Sequence, residues 1–293
     1  MKAYVFPGQG AQFVGMAGGL RELGSRAHEL LARADEVLGF PLSAVMTDGD
    51  EEALRQTRVT QPAIYVHSVV RALVEGERFH AAAVAGHSLG EFSALTAVGA
   101  LDFDTGLRLV GARAEAMQAA GEARPGTMAA VIGLDDGRVD EICAATEGVV
   151  VPANYNCPGQ LVISGEVPAV RAAMAACLEA GAKRAIELSV GGAFHSPLMA
   201  PAREALAAAI READLRTPAA PVYQNVDARP HTDPEVIRAN LLAQLTGAVR
   251  WTGSVRAMID SGITSFVEVG GKGSILRGLI RKIDRTVATE ALV

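Results

Sequence analysis

The sequence contains no apolar run long enough to cross a membrane as a helix, and the apolar stretch at its start is too short for a secretory signal. It also has no surplus of basic charge: 27 Lys and Arg stand against 33 Asp and Glu, and the formal net charge is −6. An acidic balance of this size argues against a nucleic-acid partner. We therefore expect a cytoplasmic protein that binds neither membranes nor nucleic acids.

Cysteine is scarce and shows none of the spacings that metal sites or disulfide frameworks need. Cys143, Cys157 and Cys177 are odd in number, have no C-x-x-C spacing and have no neighbouring histidine cluster. No pair of histidines has the H-E-x-x-H spacing of a zinc site. The sequence therefore predicts three reduced cysteines and a mechanism that uses no metal.

What the chain does have is 49% hydrophobic and 20% charged residues over 293 positions, which is typical of a large globular protein. Strand-like and helix-like patterns alternate along it, and this predicts an α/β fold with a mostly parallel sheet covered on both faces. Between residues 126 and 189 the predicted order is βαββαβ, a ferredoxin-like unit. We expect it to be a small domain inserted into a large α/β-hydrolase-like domain formed by residues 1–125 and 190–293.

The strongest functional signal is a Gly-x-Ser-x-Gly motif that follows the short apolar run Ala82–Ala85 and precedes an Ala- and Leu-rich segment. A strand, a sharp turn and a helix in this order are typical of a nucleophile elbow. Gly86 and Gly90 would remove Cβ collisions in the turn, and the following helix would point its free N–H groups at an oxyanion. The pattern predicts Ser88 as a nucleophile, whereas an ordinary βα turn is the alternative for the motif taken alone.

A second glycine-rich turn, Gly8-Gln9-Gly10, follows the first predicted strand, Ala3–Phe6. A strand followed by Gly-x-Gly suggests a dinucleotide site, but Phe13 stands where the third glycine of that motif belongs, and we reject this interpretation. Two alternatives remain. The bare backbone N–H groups could approach a ligand as a second oxyanion donor would, or the loop could only turn the chain.

Arg113 stands out because its neighbours at helical spacing, Leu109, Val110 and Met117, are apolar. A guanidinium directed at a core is costly without an anion, and no acidic residue lies three or four positions away. Either an acid distant in the sequence pairs with Arg113, or the anion of a ligand does.

His195 is the best candidate for a general base, because it lies in a loop between a glycine-rich strand end and Pro197, which opens a long Ala-rich helix. It also follows Ser88 in the sequence, as the base does in many α/β hydrolases. No acidic residue is a convincing third member of a triad.

Seven segments, spread in order over nearly the whole chain, carry a resemblance to one family: Phe6-Pro7-Gly8-Gln9-Gly10, Thr60-Gln61-Pro62, Gly86-His87-Ser88-Leu89-Gly90-Glu91, Arg113 with Met117-Gln118, Asn156-Cys157-Pro158-Gly159-Gln160, Gly192-Ala193-Phe194-His195-Ser196, and Val249-Arg250-Trp251-Thr252. They resemble the malonyl-CoA:acyl carrier protein transacylases, the free-standing acyltransferases of fatty-acid and polyketide synthesis. The resemblance implies transfer of a malonyl group from malonyl-CoA to the phosphopantetheine thiol of an acyl carrier protein.

The resemblance also implies a role for each matching residue. Ser88 would carry the malonyl group in a ping-pong reaction, with His195 as its base. The backbone N–H groups of Gln9 and Leu89 would form the oxyanion hole, and Arg113 would bind the malonyl carboxylate.

Four further positions are implied with less specific roles. The backbone carbonyl of Arg250 would orient the catalytic histidine in place of an aspartate. Phe194 matches a position that selects malonyl over methylmalonyl groups, and Gln61 and Asn156 would line the pocket. Coenzyme A enters as the thioester substrate, no cofactor is expected to stay bound, and a monomer is expected.

Three other functions remain open from the sequence. A trans-acting acyltransferase of a polyketide pathway would have the same chemistry and the same residues. A serine hydrolase would release the acyl group to water, but Arg113 counts against it, because hydrolases of similar sequence are expected to lack a carboxylate clamp. A non-catalytic docking subunit is disfavoured by the intact Ser88, His195 and Arg113.

Overall fold

The computed structural model describes all 293 residues, which form ten strands and thirteen α-helices. The strands are β1 (Lys2–Phe6), β2 (Ala83–Gly86), β3 (Gly126–Ile132), β4 (Val150–Cys157), β5 (Gln160–Glu166), β6 (Arg184–Glu187), β7 (Val222–Tyr223), β8 (Pro230–His231), β9 (Ser265–Val269) and β10 (Ala288–Leu292). The helices are α1 (Gly18–Arg21), α2 (Ser25–Leu38), α3 (Leu42–Asp48), α4 (Glu51–Arg55), α5 (Thr57–Glu75), α6 (Gly90–Ala97), α7 (Phe103–Ala123), α8 (Asp136–Ala145), α9 (Val167–Glu179), α10 (Ala200–Glu212), α11 (Pro234–Gln244), α12 (Trp251–Asp260) and α13 (Ile275–Ile283).

Six strands form the first sheet, in the order β10-β9-β1-β2-β7-β8, and every neighbouring pair is parallel except β7 with β8. Alternate residues of a strand point to opposite faces. In β1, Tyr4 and Phe6 belong to the large core with α5 and α7, whereas Ala3 and Val5 belong to a second core with α12 and α13. The sheet is therefore covered on both faces, which confirms the fold class expected from the sequence.

Four strands form a separate antiparallel sheet in the order β4-β5-β3-β6. Along the chain the elements run β3, α8, β4, β5, α9 and β6, which is the predicted βαββαβ order. Helices α8 and α9 pack on this sheet around an apolar core whose buried residues all lie between Ala129 and Ala182.

The structure departs from the predicted elements at three places. The apolar spacing of residues 62–74 predicts a helix with Pro62 near its first turn, but helix α5 begins at Thr57 and Pro62 lies inside it. The helix continues past the proline because 13 of its 19 residues are buried, and that packing outweighs one missing N–H. The polar segment from Asn154 to Gln160 predicts a turn between two strands, but strand β4 extends to Cys157 and leaves a shorter turn. Strand β10 was not anticipated, since only its pairing with β9 at the sheet edge makes this polar segment a strand.

The register of the first sheet places two loops side by side. Phe6 pairs with Gly86, so the loop after β1 and the turn after β2 leave the sheet together at its carboxyl end. The second sheet reaches the same region through β4, where Asn154 forms a parallel bridge with Val249. None of the helices combines the length and the apolar character needed to span a membrane.

Candidate active site

Ser88 stands in a sharp turn between β2 and α6 and has a positive φ of 52°. The turn is tight enough to require both flanking glycines: a Cβ on Gly86 would overlap the backbone of Gly90, and a Cβ on Gly90 would overlap the carbonyl oxygen of Phe6. This is the nucleophile elbow that the motif predicts, and it exposes the Ser88 hydroxyl to the cavity described below.

Asn225 lies just after β7, the strand next to β2, and its side chain holds the elbow in place. Its Oδ1 accepts a hydrogen bond from the Ser88 backbone N–H at 2.7 Å, and its Nδ2 donates to the carbonyl of Gly86 at 2.7 Å. The side chain is fully buried, so both contacts are shielded from water. Nothing in the sequence marks Asn225 as a site residue, because only the pairing of β2 with β7 brings it to the elbow.

His195 lies against the nucleophile, as the sequence predicts for a base: its Nε2 is 2.7 Å from Ser88 Oγ. Its Nδ1 faces two carbonyl oxygens, Gln244 O at 2.9 Å and Gly247 O at 3.2 Å. Because carbonyls only accept hydrogen bonds, Nδ1 must carry the proton, which leaves Nε2 free to accept one from the serine.

The expected orienting residue, Arg250, does not hold His195, and this expectation was wrong. The Arg250 carbonyl accepts hydrogen bonds from the backbone and side chain of Ser254 in the first turn of α12. Gln244, the last residue of α11, replaces it, because carbonyls at the end of a helix have no partner within the helix. A backbone carbonyl therefore does orient the histidine, but it comes from a different element.

Burial, with the positive charge of Arg113 acting in the same direction, lowers the pKa of His195 to about 3. The imidazole is therefore neutral near pH 7 and able to accept a proton.

Arg113 projects from α7 into the same site and is 1% exposed. Its Nη1 donates to Gln61 Oε1 at 2.7 Å, and its Nη2 donates to Ser88 Oγ at 2.9 Å and to Gln244 Oε1 at 3.1 Å. Its Nε has no partner. Burial lowers the pKa of Arg113 to about 10, so the guanidinium remains charged near pH 7. All three side-chain partners are neutral, which leaves this buried cation able to bind an anionic group.

Glu91, on the first turn of α6, is a fully buried acid near this cation. Its Oε1 accepts a hydrogen bond from the Asn225 backbone N–H, and its Oε2 accepts one from Gln244 Nε2. Burial raises the pKa of Glu91, whereas these two donors and the charge of Arg113 lower it. Because both oxygens face N–H donors, the side chain is bound as a carboxylate. The sequence left two possible partners for Arg113, a distant acid or the anion of a ligand. A distant acid, Glu91, is present, but the Gln244 side chain lies between it and the guanidinium.

The backbone N–H groups of Gln9 and Leu89 donate to no other group of the chain. Gln9 lies in the glycine loop after β1, and Leu89 precedes the first residue of α6, where helix N–H groups are unsatisfied. The two loops are in close contact, since a Cβ on Gly8 would overlap the carbonyl oxygen of His87. Both residues line the cavity that Ser88 also lines, as the residues of an oxyanion hole must.

A cavity of about 450 Å³ opens in front of Ser88, and its walls come from β3, β4 and β5 of the second sheet and from the loops and helices beside the first sheet. Gln61 and Phe194 line it beside Arg113 and His195. Asn156, from β4, also lines the cavity, and its Oδ1 lies 2.9 Å from His87 Nε2. The structure therefore gathers every site residue expected from the sequence around one cavity, with the exception of Arg250.

Gln244 and Glu91 were not recognised as site residues from the sequence. Gln244 follows the buried residues Ile237 and Leu241 at helical spacing, so a polar side chain on the apolar face of α11 was the available signal. Glu91 was quoted only as part of the motif, and nothing in a single sequence shows that its carboxylate is buried.

Cys143, Cys157 and Cys177 are free and buried. No group of three or more His, Cys, Asp or Glu side chains is arranged to hold a metal ion.

The sheet order, the elbow and the serine–histidine pair define an α/β protein with the site of a serine acyl-transfer enzyme. The family model for the acyl transferase domain matches residues 3–293, and the chain belongs to this family.

Curated proteins similar to this chain over nearly its whole length are acyltransferases. The malonyl CoA-acyl carrier protein transacylase of Escherichia coli strain K12 is 42% identical over 294 residues, which cover 99% of this chain and 95% of the relative. The protein of the same name from Staphylococcus aureus strain MRSA252 is 40% identical over 288 residues, covering 97% and 93%.

Two solved structures share the whole fold. An acyl carrier protein S-malonyltransferase from Vibrio cholerae has a TM-score of 0.95 and 43% identity, covering 99% of this chain and 96% of that one. A malonyl-transacylase in complex with its type II polyketide acyl carrier protein has a TM-score of 0.94 and 40% identity, covering 99% and 95%.

Proposed function

We propose that this protein transfers a malonyl group from malonyl-CoA to the phosphopantetheine thiol of an acyl carrier protein, through an ester on Ser88. One observation carries the proposal: Ser88 Oγ lies 2.7 Å from the free nitrogen of a neutral histidine and 2.9 Å from a buried guanidinium. The first contact supplies a nucleophile and its base. The second supplies a cation where an acyl group with a free carboxylate would lie.

In the first half-reaction, Ser88 Oγ attacks the thioester carbonyl while its proton passes to His195 Nε2. The carbonyl oxygen becomes an oxyanion, which the N–H groups of Gln9 and Leu89 stabilise. The carbon–sulfur bond then breaks, and the coenzyme A thiolate takes the proton from Nε2. The products are free coenzyme A and malonyl-Ser88, with the histidine neutral again.

In the second half-reaction, the phosphopantetheine thiol gives its proton to His195 Nε2 and attacks the malonyl ester. The Ser88 oxygen leaves and recovers the proton. An acidic residue as third member of a catalytic triad is not needed, because the Gln244 and Gly247 carbonyls stabilise the Nδ1–H of the imidazolium.

Arg113 selects the acyl group by charge. A hydrogen bond to a charged group contributes roughly 1.5–3 kcal/mol, so acyl groups without a carboxylate should lose about tenfold to a hundredfold in affinity. Serine hydrolases of similar sequence are expected to lack such a carboxylate clamp, and we therefore favour transfer over hydrolysis.

The test is to incubate the protein with malonyl-CoA and measure its intact mass. We expect the addition of one malonyl group, and we expect Ser88→Ala to add none. Transfer is then measured by offering malonyl-, methylmalonyl- and acetyl-CoA together with carrier proteins of fatty-acid and of polyketide synthesis. Absence of an adduct on the unaltered protein would overturn the mechanism, and release of malonate without transfer would establish hydrolysis.

The choice of carrier protein assigns the pathway, since a relative of known structure binds a type II polyketide carrier protein and the chemistry is shared with fatty-acid synthesis. We further propose that no cofactor stays bound, because the steps above use only side chains and amides of the chain.

The remaining proposals concern organisation and place. Residues 126–189 would form a small domain inserted between residues 1–125 and 190–293, which is supported by the separate core of its sheet. A monomer would suffice, because one chain lines the whole cavity. The three free cysteines suit a reducing compartment, which supports a cytoplasmic location.

A further inference from the structure

Gln244 contacts four parts of the site from one buried position. Its backbone carbonyl accepts from His195, and its side-chain oxygen accepts from Arg113 Nη2. Its side-chain nitrogen donates to the Ser88 carbonyl at 3.0 Å and to Glu91 Oε2. The proposed function uses only the backbone carbonyl, so the role of the amide needs another explanation.

The orientation of this amide is set by its neighbours. A side-chain amide has a donor end and an acceptor end, and rotating it by half a turn exchanges them. On the Nε2 side stand two acceptors, the Ser88 carbonyl and the Glu91 carboxylate, whereas on the Oε1 side stands only the donor Arg113. Any other orientation would place N–H against N–H and oxygen against oxygen in a buried site.

Glu91 is the decisive neighbour, because both of its oxygens face N–H donors and it is therefore held as an acceptor. We propose that Glu91 and Gln244 are positioning residues that act in series: the buried carboxylate orients the Gln244 amide, and the amide oxygen holds Arg113 in position for the malonyl carboxylate. This proposal rests on the proposed function of Arg113 and adds the residues that determine its orientation.

The arrangement also explains why the buried acid does not touch the buried cation. A direct ion pair would occupy the guanidinium and compete with the carboxylate of the substrate. With an amide between them, Glu91 favours the charged form of Arg113 from a distance, while the Nε of the guanidinium stays unpartnered.

Glu91→Gln tests the series because it keeps the size of the side chain and changes only its charge and polarity. The new amide would still accept from the Asn225 N–H, but it would turn its own NH2 group toward Gln244. Gln244 would then rotate and present its NH2 group to Arg113. We expect the KM for malonyl-CoA to rise at least about tenfold and the preference for malonyl- over acetyl-CoA to fall, with a smaller change in kcat.

The direction in which the KM for malonyl-CoA changes in Glu91→Gln distinguishes a positioning role from a purely electrostatic role of Glu91. If Glu91 acted only as a competing anion, its neutralisation would strengthen binding of the malonyl carboxylate and lower the KM. If Glu91 were only structural, acylation by malonyl-CoA, acylation by acetyl-CoA and labelling of Ser88 by phenylmethylsulfonyl fluoride would fall together. Either result would overturn the proposal.

Two further variants complete the experiment. Ser93→Ala, on the same helix, removes a fully buried hydroxyl that has no hydrogen-bond partner, and it should leave the malonyl preference unchanged. Gln244→Met removes the amide directly and should reproduce the loss of preference, which keeps the test valid if Glu91→Gln folds poorly. An unchanged preference in Gln244→Met would contradict the proposal.

Failure of the proposed function would be seen separately. If the unaltered protein forms no malonyl adduct, the function itself is wrong, whatever the variants do. If it forms the adduct and Glu91→Gln keeps the full malonyl preference, only the positioning role is wrong.

Discussion

Ser88 Oγ lies 2.7 Å from His195 Nε2, and both residues have a positive φ, 52° for Ser88 and 58° for His195. Only one other residue besides glycine, Ala228, has a positive φ. Such a conformation costs a residue with a Cβ roughly 1–2 kcal/mol and persists only where the surroundings enforce it. Here the elbow contacts of Asn225 and the carbonyls around the imidazole provide that enforcement.

The strain at the elbow predicts a stability difference between two inactive variants. Ser88→Ala and Ser88→Gly both remove the hydroxyl, so both should lose the malonyl adduct. Only glycine relieves the positive φ, and we expect Ser88→Gly to exceed Ser88→Ala by about 1 kcal/mol in free energy of unfolding. Urea denaturation of the two proteins measures this. Equal stability would show that the turn is relaxed.

The packing of the elbow against β1 predicts a contrast between two glycines. Gly90→Ala would place a methyl group on the carbonyl oxygen of Phe6, and we expect a loss of roughly 3 kcal/mol or more together with the loss of acylation. Gly278→Ala, inside α13, meets no atom within 4 Å and should gain about 0.5–1 kcal/mol. Thermal unfolding of both tests the contrast, and similar effects would contradict it.

The sequence predicted most of what depends on local pattern. Gly86, Ser88 and Gly90 are close in sequence, so their turn could be predicted without knowledge of the fold, and the apolar neighbours of Arg113 marked it as directed inward. The roles of Asn225 and Gln244 could not be predicted in this way. Their roles arise because β7 pairs with β2 and because α11 ends beside His195, and these are relationships between segments far apart in the chain.

The Arg250 error has the same origin. The family resemblance correctly indicated a backbone carbonyl as the partner of the histidine, but the carbonyl was assigned by matching a short motif. Which carbonyl is free depends on where the helices begin and end: Arg250 caps the start of α12 and its carbonyl accepts from the first turn, whereas Gln244 is the last residue of α11. Such an assignment requires the three-dimensional structure.

The lowered pKa of His195 predicts an unusual pH profile. A histidine with an ordinary pKa near 6.5 would be mostly protonated at about pH 5, and acylation by malonyl-CoA would fall roughly thirtyfold from its value at about pH 8. Because burial lowers the pKa of His195 to about 3, we expect kcat/KM for acylation to stay nearly constant over that range. A decline centred near pH 6.5 would contradict the burial effect.

The same shift has a consequence for stability. The unfolded chain takes up a proton on His195 below about pH 6.5, whereas the folded protein does not until about pH 3. The contribution of this residue to the free energy of unfolding should therefore decrease as the pH falls through that window. The difference between the unaltered protein and His195→Gln, measured by urea denaturation at several pH values, isolates this contribution, and a difference that does not change with pH would contradict it.

The two arginines of α7 provide a matched test of the carboxylate clamp. Arg113→Ala removes a buried cation that contacts Ser88 Oγ, and we expect malonyl transfer to fall at least about a hundredfold while acetyl transfer rises. Arg108→Ala removes an exposed cation that only pairs with Asp104 at 3.7 Å, and it should change neither rate. Competition between malonyl-CoA and acetyl-CoA, with the adducts separated by mass, measures both. If Arg113→Ala kept the malonyl preference, the cation could not be the group that recognises the substrate carboxylate, and the selectivity would have to arise from the shape of the cavity around Phe194.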